Sequence, residues 1–246
     1  MSAPYTQIAL VTGANQGIGF EVAKKLSTEH KDYIVILAGR RKDAIDEAVA
    51  KLTALGLSVE ALLLDQDSDE SITVAAKAVE EKHGRLDVLI NNAAVGHPPK
   101  GLSAREGWQA VFNTNVFGVA QVTDTFIPLL EKSQAPTKRI VMLSSTMGSS
   151  AYKADPKNWH HNLDLPPYAT SKAALNMLTL HYIARLEKDP SWKITLTCPG
   201  YCATNLNNYM GGDDPSLGAV NAVRLATLGL DGENGTYSNK EGTIPW

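Results

Sequence analysis

Two hydrophobic rhythms alternate along the chain. Short runs rich in apolar and β-branched residues, over 7–11, 33–37, 59–64, 86–90, 139–143 and 193–197, read as strands buried on both faces. Between and after them, residues 17–27, 43–55, 69–83, 104–130, 168–186 and 215–228 carry apolar positions at helical spacing. Strands alternating with helices are joined by crossovers. The pattern therefore predicts an α/β, doubly wound parallel sheet with helices on both faces. A short strand near 235–238 is expected to close the sheet edge, giving seven strands in a single domain over 1–246.

One stretch follows neither rhythm. Residues 149–167 hold Pro156, Pro166 and Pro167 with Trp159, His160 and His161, and read as an insertion loop. Long loops inside compact domains are usually functional. This one runs straight into the helix opening at Tyr168, so it is expected to border a substrate pocket.

Composition narrows the classes. With 246 residues, 43% hydrophobic and 20% charged, the chain has globular proportions. A net charge of −3 offers no basic stripe for phosphodiesters, which argues against a nucleic-acid partner. Cys198 and Cys202 are too few for a disulfide framework or a zinc ribbon and read as reduced thiols. No run approaches the ~18 apolar residues of a membrane helix, and the start Met1-Ser2-Ala3-Pro4 lacks a basic-then-apolar leader. A cytoplasmic protein without membrane contact is expected. His160, His161 and Asp164 invite a metal reading, but catalytic zinc needs ligands on rigid elements and a loop serves badly, so no metal is expected.

The first strand leads into Thr12-Gly13-Ala14-Asn15-Gln16-Gly17-Ile18-Gly19, and a helix follows at once. Glycines in that setting allow a tight turn, bring backbone N–H groups against a pyrophosphate and let helix and sheet pack closely. A Rossmann dinucleotide site follows. About 20 positions beyond such glycines, a carboxylate ordinarily takes the ribose 2′-hydroxyl. Here Gly39 is followed by Arg40 and Arg41, which would bind a 2′-phosphate through charge-assisted hydrogen bonds and point to NADP(H) over NAD. The plainer alternative is that both arginines are solvated at the start of the next helix.

Tyr168 and Lys172 stand four apart on a predicted helix, so both project from one face. A phenol ordinarily titrates near ~10, and an ammonium one turn away favours its ionised form. Of the eight tyrosines only Tyr168 has lysine at this spacing. Ser145 ends the fifth strand, and Asn115 lies in the helix before that strand. Each could instead be structural, Ser144 and Ser145 ending a strand and Tyr168 anchoring a helix start.

Together these motifs resemble the short-chain dehydrogenase/reductase family along nearly the whole chain: Thr12-Gly-x-x-x-Gly-Ile-Gly19, Asn91-Asn92-Ala93-Ala94, Ser145 and Tyr168-x-x-x-Lys172. The resemblance implies that Ser145 polarises a substrate carbonyl, Tyr168 donates the proton, Lys172 binds the nicotinamide ribose and tunes Tyr168, and Asn115 holds a relay water. It further implies coenzyme contacts from Gly13, Asn15, Gln16, Gly17, Ile18 and Gly19, from Asp65 and Gln66 near the adenine, and from Asn92, Ala93 and Ala94. Pro199, Gly200, Cys202 and Thr204 would hold the carboxamide end, while Asn91 would support the central sheet. The family more often has Gly where Ala94 sits, and some NADP-dependent members have a basic residue in place of Gln16.

Within the family, Ala38-Gly39-Arg40, the stretch from Pro199 to Asn205, the insertion and the tail ending in Trp246 look most like NADPH-dependent carbonyl reductases. The expected reaction is transfer of hydride to a ketone or aldehyde. The alternatives are an NADP-linked alcohol, steroid or sugar dehydrogenase working oxidatively, and a non-catalytic dinucleotide-binding module. A short lid after Thr204 suggests an open pocket for bulky or aromatic ketones, lined by His97, Met147, Trp159, Tyr201 and Tyr209, although each could simply be packing. Relatives pair through the two long helices, but a longer insertion covers that surface in some carbonyl reductases. The intermediate length here tips the expectation toward a monomer over a homodimer or tetramer.

Overall fold

A computed structural model describes residues 6–246. Seven parallel strands form its sheet: β1 (Gln7–Thr12), β2 (Tyr33–Gly39), β3 (Val59–Leu63), β4 (Val88–Asn91), β5 (Lys138–Leu143), β6 (Trp192–Thr197) and β7 (Tyr237–Asn239). A two-residue strand, β8 (Gly242–Thr243), pairs antiparallel with β7, so the sheet has eight strands rather than the expected seven. The order β3-β2-β1-β4-β5-β6-β7-β8 reverses direction between β1 and β4. At such a reversal the crossovers leave toward opposite edges, and a crevice opens beyond the strand ends.

Strand side chains alternate between two cores, as a period of two requires. Ile8, Leu10, Ile36, Leu89, Ile140 and Met142 face one side. There they pack under α3 (Asp69–His83), α5 (Val119–Glu131) and α7 (Pro166–Leu186). Ala9, Val11, Val35, Leu37, Ile90 and Val141 face the other, under α1 (Gly17–Glu29), α2 (Lys42–Thr53) and α8 (Pro215–Ala226). Burial on both faces is why the strands read as nearly continuous apolar runs.

The span expected as one helix over 104–130 is broken. α4 (Ala104–Phe112), opened by a Ser103–Glu106 capping box, passes into a π turn over Asn113–Gly118 before α5 resumes the α-helical register. The stretch 149–167 is not structureless either. It forms α6 (Ser150–Ala154), capped by the Ser149 side chain, and a 3-10 turn over Trp159–Asn162, capped by Asn158. α7 starts two residues before Tyr168 because Pro166 and Pro167 occupy its first turn, where their missing N–H groups cost nothing. Among the described residues no helix is long and apolar enough to cross a membrane.

Candidate active site

A cleft of about 890 Å³ opens at the carboxyl ends of β1, β4, β5 and β6. That volume lies toward the upper end of the ~300–1,000 Å³ found for small-molecule sites. Its floor is stitched where the sheet order reverses. Thr12 Oγ1 accepts from the backbone N–H groups of Asn92 and Ala93, both at 3.0 Å. In return Asn92 Nδ2 donates to the carbonyls of Thr12 (2.7 Å) and Gly13 (3.2 Å).

At Gly13 and Gly19 the turn leaves no room for a side chain. Gly13 and Gly17 have φ of +64° and +58°, left-handed values that glycine adopts without penalty. A Cβ on Gly13 would lie 2.8 Å from Ala93 Cα, and one on Gly19 would lie 2.4 Å from Asn92 Nδ2. The result is a bare backbone cradle opening α1, with Asn15, Gln16 and Ile18 on its rim and all three lining the cleft. Such a cradle fits the pyrophosphate of a dinucleotide.

Asp65, Gln66, Asn92, Ala93, Ala94, Pro199, Gly200, Cys202 and Thr204 line the same cleft. Gln66 is buried and tied, its Nε2 donating to the carbonyls of Ala93 (3.0 Å) and Thr114 (2.8 Å). The two arginines separate: Arg40 lines the cleft, whereas Arg41, the N-cap residue of α2, is exposed outside it.

At the chemical end, Ser145, Tyr168 and Lys172 line the cleft together. Ser145 lies two residues beyond the end of β5, and its Oγ accepts from Met147 N at 3.2 Å. Lys172 is buried, its Nζ donating to the Leu143 carbonyl at 2.8 Å and standing 5.8 Å from the centre of the Tyr168 ring. The lysine does not draw the phenol down in the protein by itself. Burial pushes Tyr168 up to about 12, against a smaller opposing pull from the Ser145 hydroxyl. Burial likewise pushes Lys172 down to about 8.

Asn115 lies in the π turn, 0% exposed, and does not reach the cleft surface. Its Oδ1 accepts from Val95 N (2.8 Å), and its Nδ2 donates to the Val95 carbonyl (2.9 Å) and to Ser171 Oγ (3.0 Å). Both Nδ2 hydrogens are thereby used, while Oδ1 keeps one acceptor site. Asn91 is also withdrawn, its Nδ2 donating to Thr123 Oγ1 at 3.0 Å.

Of the expected substrate contacts, His97, Met147, Trp159 and Tyr201 line the cleft and Tyr209 does not. A Thr204–Asn207 capping box and left-handed backbone at Asn208 (φ 53°) and Tyr209 (φ 60°) reverse the lid, leaving Tyr209 68% exposed. Leu206 takes the inner position, against Gly96. Sequence reasoning also missed Thr146, Tyr152, Lys240 and Glu241 on the wall. The last two sit on the turn between β7 and β8, which has no periodicity to announce it. Among the described residues no group of three potential metal ligands stands together, and both ring nitrogens of His160 are engaged by protein partners.

The pattern of the family described as short chain dehydrogenase matches residues 7–214. Short-chain dehydrogenase anuI of Penicillium roqueforti is 40% identical over 239 residues, covering 93% of this chain and 92% of that one. Carbonyl reductase [NADPH] 1 of Sus scrofa is 28% identical, covering 98% and 94%. Among solved structures, salutaridine reductase from Papaver somniferum superposes with a TM-score of 0.81 at 27% identity, covering 95% of this chain and 99% of that one.

Proposed function

Because the chain belongs to the short-chain dehydrogenase family, we propose that it is an NADPH-dependent carbonyl reductase that converts a ketone or aldehyde to an alcohol. The observation that carries this reading is the convergence of Ser145, Tyr168 and Lys172 in one cleft with the glycine cradle and Arg40. The cradle and its rim would hold the pyrophosphate, Asp65 would face the adenine, and Pro199, Gly200 and Thr204 the carboxamide end. When bound, NADPH supplies the hydride that the carbonyl carbon accepts.

The protein's own groups then manage charge and proton. As negative charge gathers on the carbonyl oxygen, hydroxyls from Ser145 and Tyr168 can donate to it from the wall, fixed in advance rather than recruited from water. Tyr168 then gives up its proton. A phenol pushed up to about 12 keeps that proton at neutral pH, which suits an acid in the reductive direction better than a base in the oxidative one. Lys172, held by Leu143, is placed to hydrogen-bond the ribose and offset the charge left on Tyr168. Since burial lowers Lys172 to about 8, its ammonium is lost as pH rises past that point. We expect kcat/KM for reduction to fall on the alkaline side with an apparent pKa near 8. A profile measured from roughly pH 6 to 10 that stays level throughout would count against this role for Lys172.

Coenzyme choice is tested at Arg40. Its chain neighbours at the end of β2, Gly39 and Arg41, carry no carboxylate to repel a 2′-phosphate, which a guanidinium binds in a planar, charge-assisted fashion. Arg40→Ala is expected to weaken NADPH binding by about tenfold to a hundredfold while moving NADH binding far less. Titration of both coenzymes by fluorescence checks this, and equal losses for the two would remove Arg40 from the 2′-phosphate site.

A further inference from the structure

Residues 149–167 are tied down in three places. At the start, Ser149 Oγ donates to the Pro245 carbonyl (2.7 Å) and Ala151 N to the Trp246 carbonyl (3.0 Å). Inside the segment, Lys153 Nζ donates to the carbonyls of His161 and Leu163, both at 2.8 Å. The third tie crosses toward the reacting groups: His160 Nε2 lies 2.7 Å from Thr146 Oγ1, on the residue directly after Ser145.

Hydrogen-bond directions along this tie can be assigned. Asn158 Oδ1 accepts from His160 N at 3.0 Å, so the atom is an amide oxygen, and His160 Nδ1 at 2.7 Å must donate to it. In the uncharged ring Nε2 is then the acceptor, and Thr146 Oγ1 donates. Withdrawal from water lowers the His160 pKa and keeps the ring in that form. The Thr146 end is held too, since Thr146 N donates to Cys198 Sγ at 3.3 Å.

Three rings share this anchor. Tyr152 stacks on His160 at 5.1 Å and 19°, and the Trp159 indole lies 4.0 Å from the same imidazole. His160 is only 7% exposed while Trp159 is 62% exposed, yet all three line the cleft. An indole held against a buried ring on the cleft wall offers a flat apolar surface to a bound substrate.

Resting on the carbonyl-reductase reading, we propose that His160 is the specificity-determining residue of the substrate end. Its clasp on Thr146 fixes the Tyr152–His160–Trp159 wall beside Ser145 and thereby favours planar, multi-ring carbonyl compounds over compact ones. Neither ring nitrogen is left to act on substrate, so His160 is a positioning residue.

The test compares a fused two-ring ketone with a flat aromatic face, 1-tetralone, with a compact non-aromatic one, cyclohexanone. KM and kcat come from NADPH consumption, and Kd for each ketone from calorimetry on the protein loaded with NADP⁺. In His160→Leu and in Thr146→Val, the ratio of tetralone to cyclohexanone Kd is expected to rise by about two- to tenfold, the worth of an aromatic stacking contact. His160→Gln, whose amide oxygen can accept from Thr146, should restore most of the preference, and the Leu/Val double variant should be no worse than either single one. The KM ratio should follow, with kcat for tetralone moving less. If the Kd ratio stays the same in both single variants, or if His160→Gln fails to restore it while folding normally, the proposal is overturned. If the wild type binds tetralone with this dependence on His160 but reduces neither ketone, the reductase reading falls and the clasp stands.

Discussion

Replacing Tyr168 by Phe is expected to lower kcat for carbonyl reduction by about 10²–10⁴-fold, the span that a positioned general acid supplies. On the barrier this corresponds to about 2.7–5.5 kcal/mol. The substitution removes one oxygen and keeps the ring. Lys172 therefore keeps its bond to the Leu143 carbonyl, and the glycine cradle, which shares no contact with the phenol, keeps its shape. NADPH affinity should accordingly change by less than about tenfold. Stopped-flow single turnovers with preloaded NADPH isolate the chemical step from coenzyme binding. A variant retaining more than about a tenth of the wild-type rate, only some 1.4 kcal/mol of barrier, would remove Tyr168 from the role of proton donor.

The reason for expecting so large an effect lies in burial, which the residue order does not disclose. From spacing alone, Lys172 one turn from Tyr168 suggests a phenol made more acidic. In the folded chain both groups leave water, and desolvation is the largest influence on each, moving Tyr168 up and Lys172 down. The same residues are placed together by sequence and by structure, yet the direction of the titration reverses. A phenol of this kind is a reluctant base and a well-protonated donor.

Other elements were legible to differing degrees for equally physical reasons. Strands buried on both faces announce themselves as apolar runs, and β1, β2, β4, β5 and β6 lie within two residues of their expected limits, as does the partly exposed edge strand β3. The π turn at Asn113–Gly118 is invisible because its buried positions, Thr114, Asn115 and Gly118, carry no apolar period that would separate it from the helices on either side. What marks it is tertiary: the Asn115 side chain is clamped to Val95, and Gly118 lies so close to the 66 carbonyl that a Cβ there would stand 2.3 Å from it. α6 has five residues, too few to display a period. Arg40 and Arg41 are adjacent in sequence, but only where the chain leaves β2 and caps α2 is it decided that one faces the cleft and the other solvent. Tyr209 is turned outward by left-handed backbone at two non-glycine residues, which no composition rule anticipates.

The glycine cradle carries the second large prediction. Gly19 needs no left-handed backbone, so the objection to a side chain there is space alone. A Cβ would stand 2.4 Å from Asn92 Nδ2, 2.7 Å from the Gly13 carbonyl oxygen and 3.1 Å from Ala14 Cα. None of these can yield cheaply. The amide is committed to the Thr12 and Gly13 carbonyls, and the other two atoms belong to the backbone of the turn that would receive the pyrophosphate. Gly19→Ala must therefore either break the stitch between the ends of β1 and β4 or push the turn into the coenzyme's place. Overpacking of this kind costs about 1–3 kcal/mol, which in a domain of this size lowers Tm by roughly 2–12 °C. Coenzyme binding should suffer more, with NADPH Kd rising by at least about a hundredfold, because several backbone donors shift at once. Gly229→Ala provides the control: a Cβ there meets nothing within 4 Å, so both Tm and NADPH affinity should stay near wild type. Isothermal titration of NADPH into the two variants separates the effects. Wild-type affinity in Gly19→Ala would mean that the turn at the end of β1 is not where the dinucleotide rests.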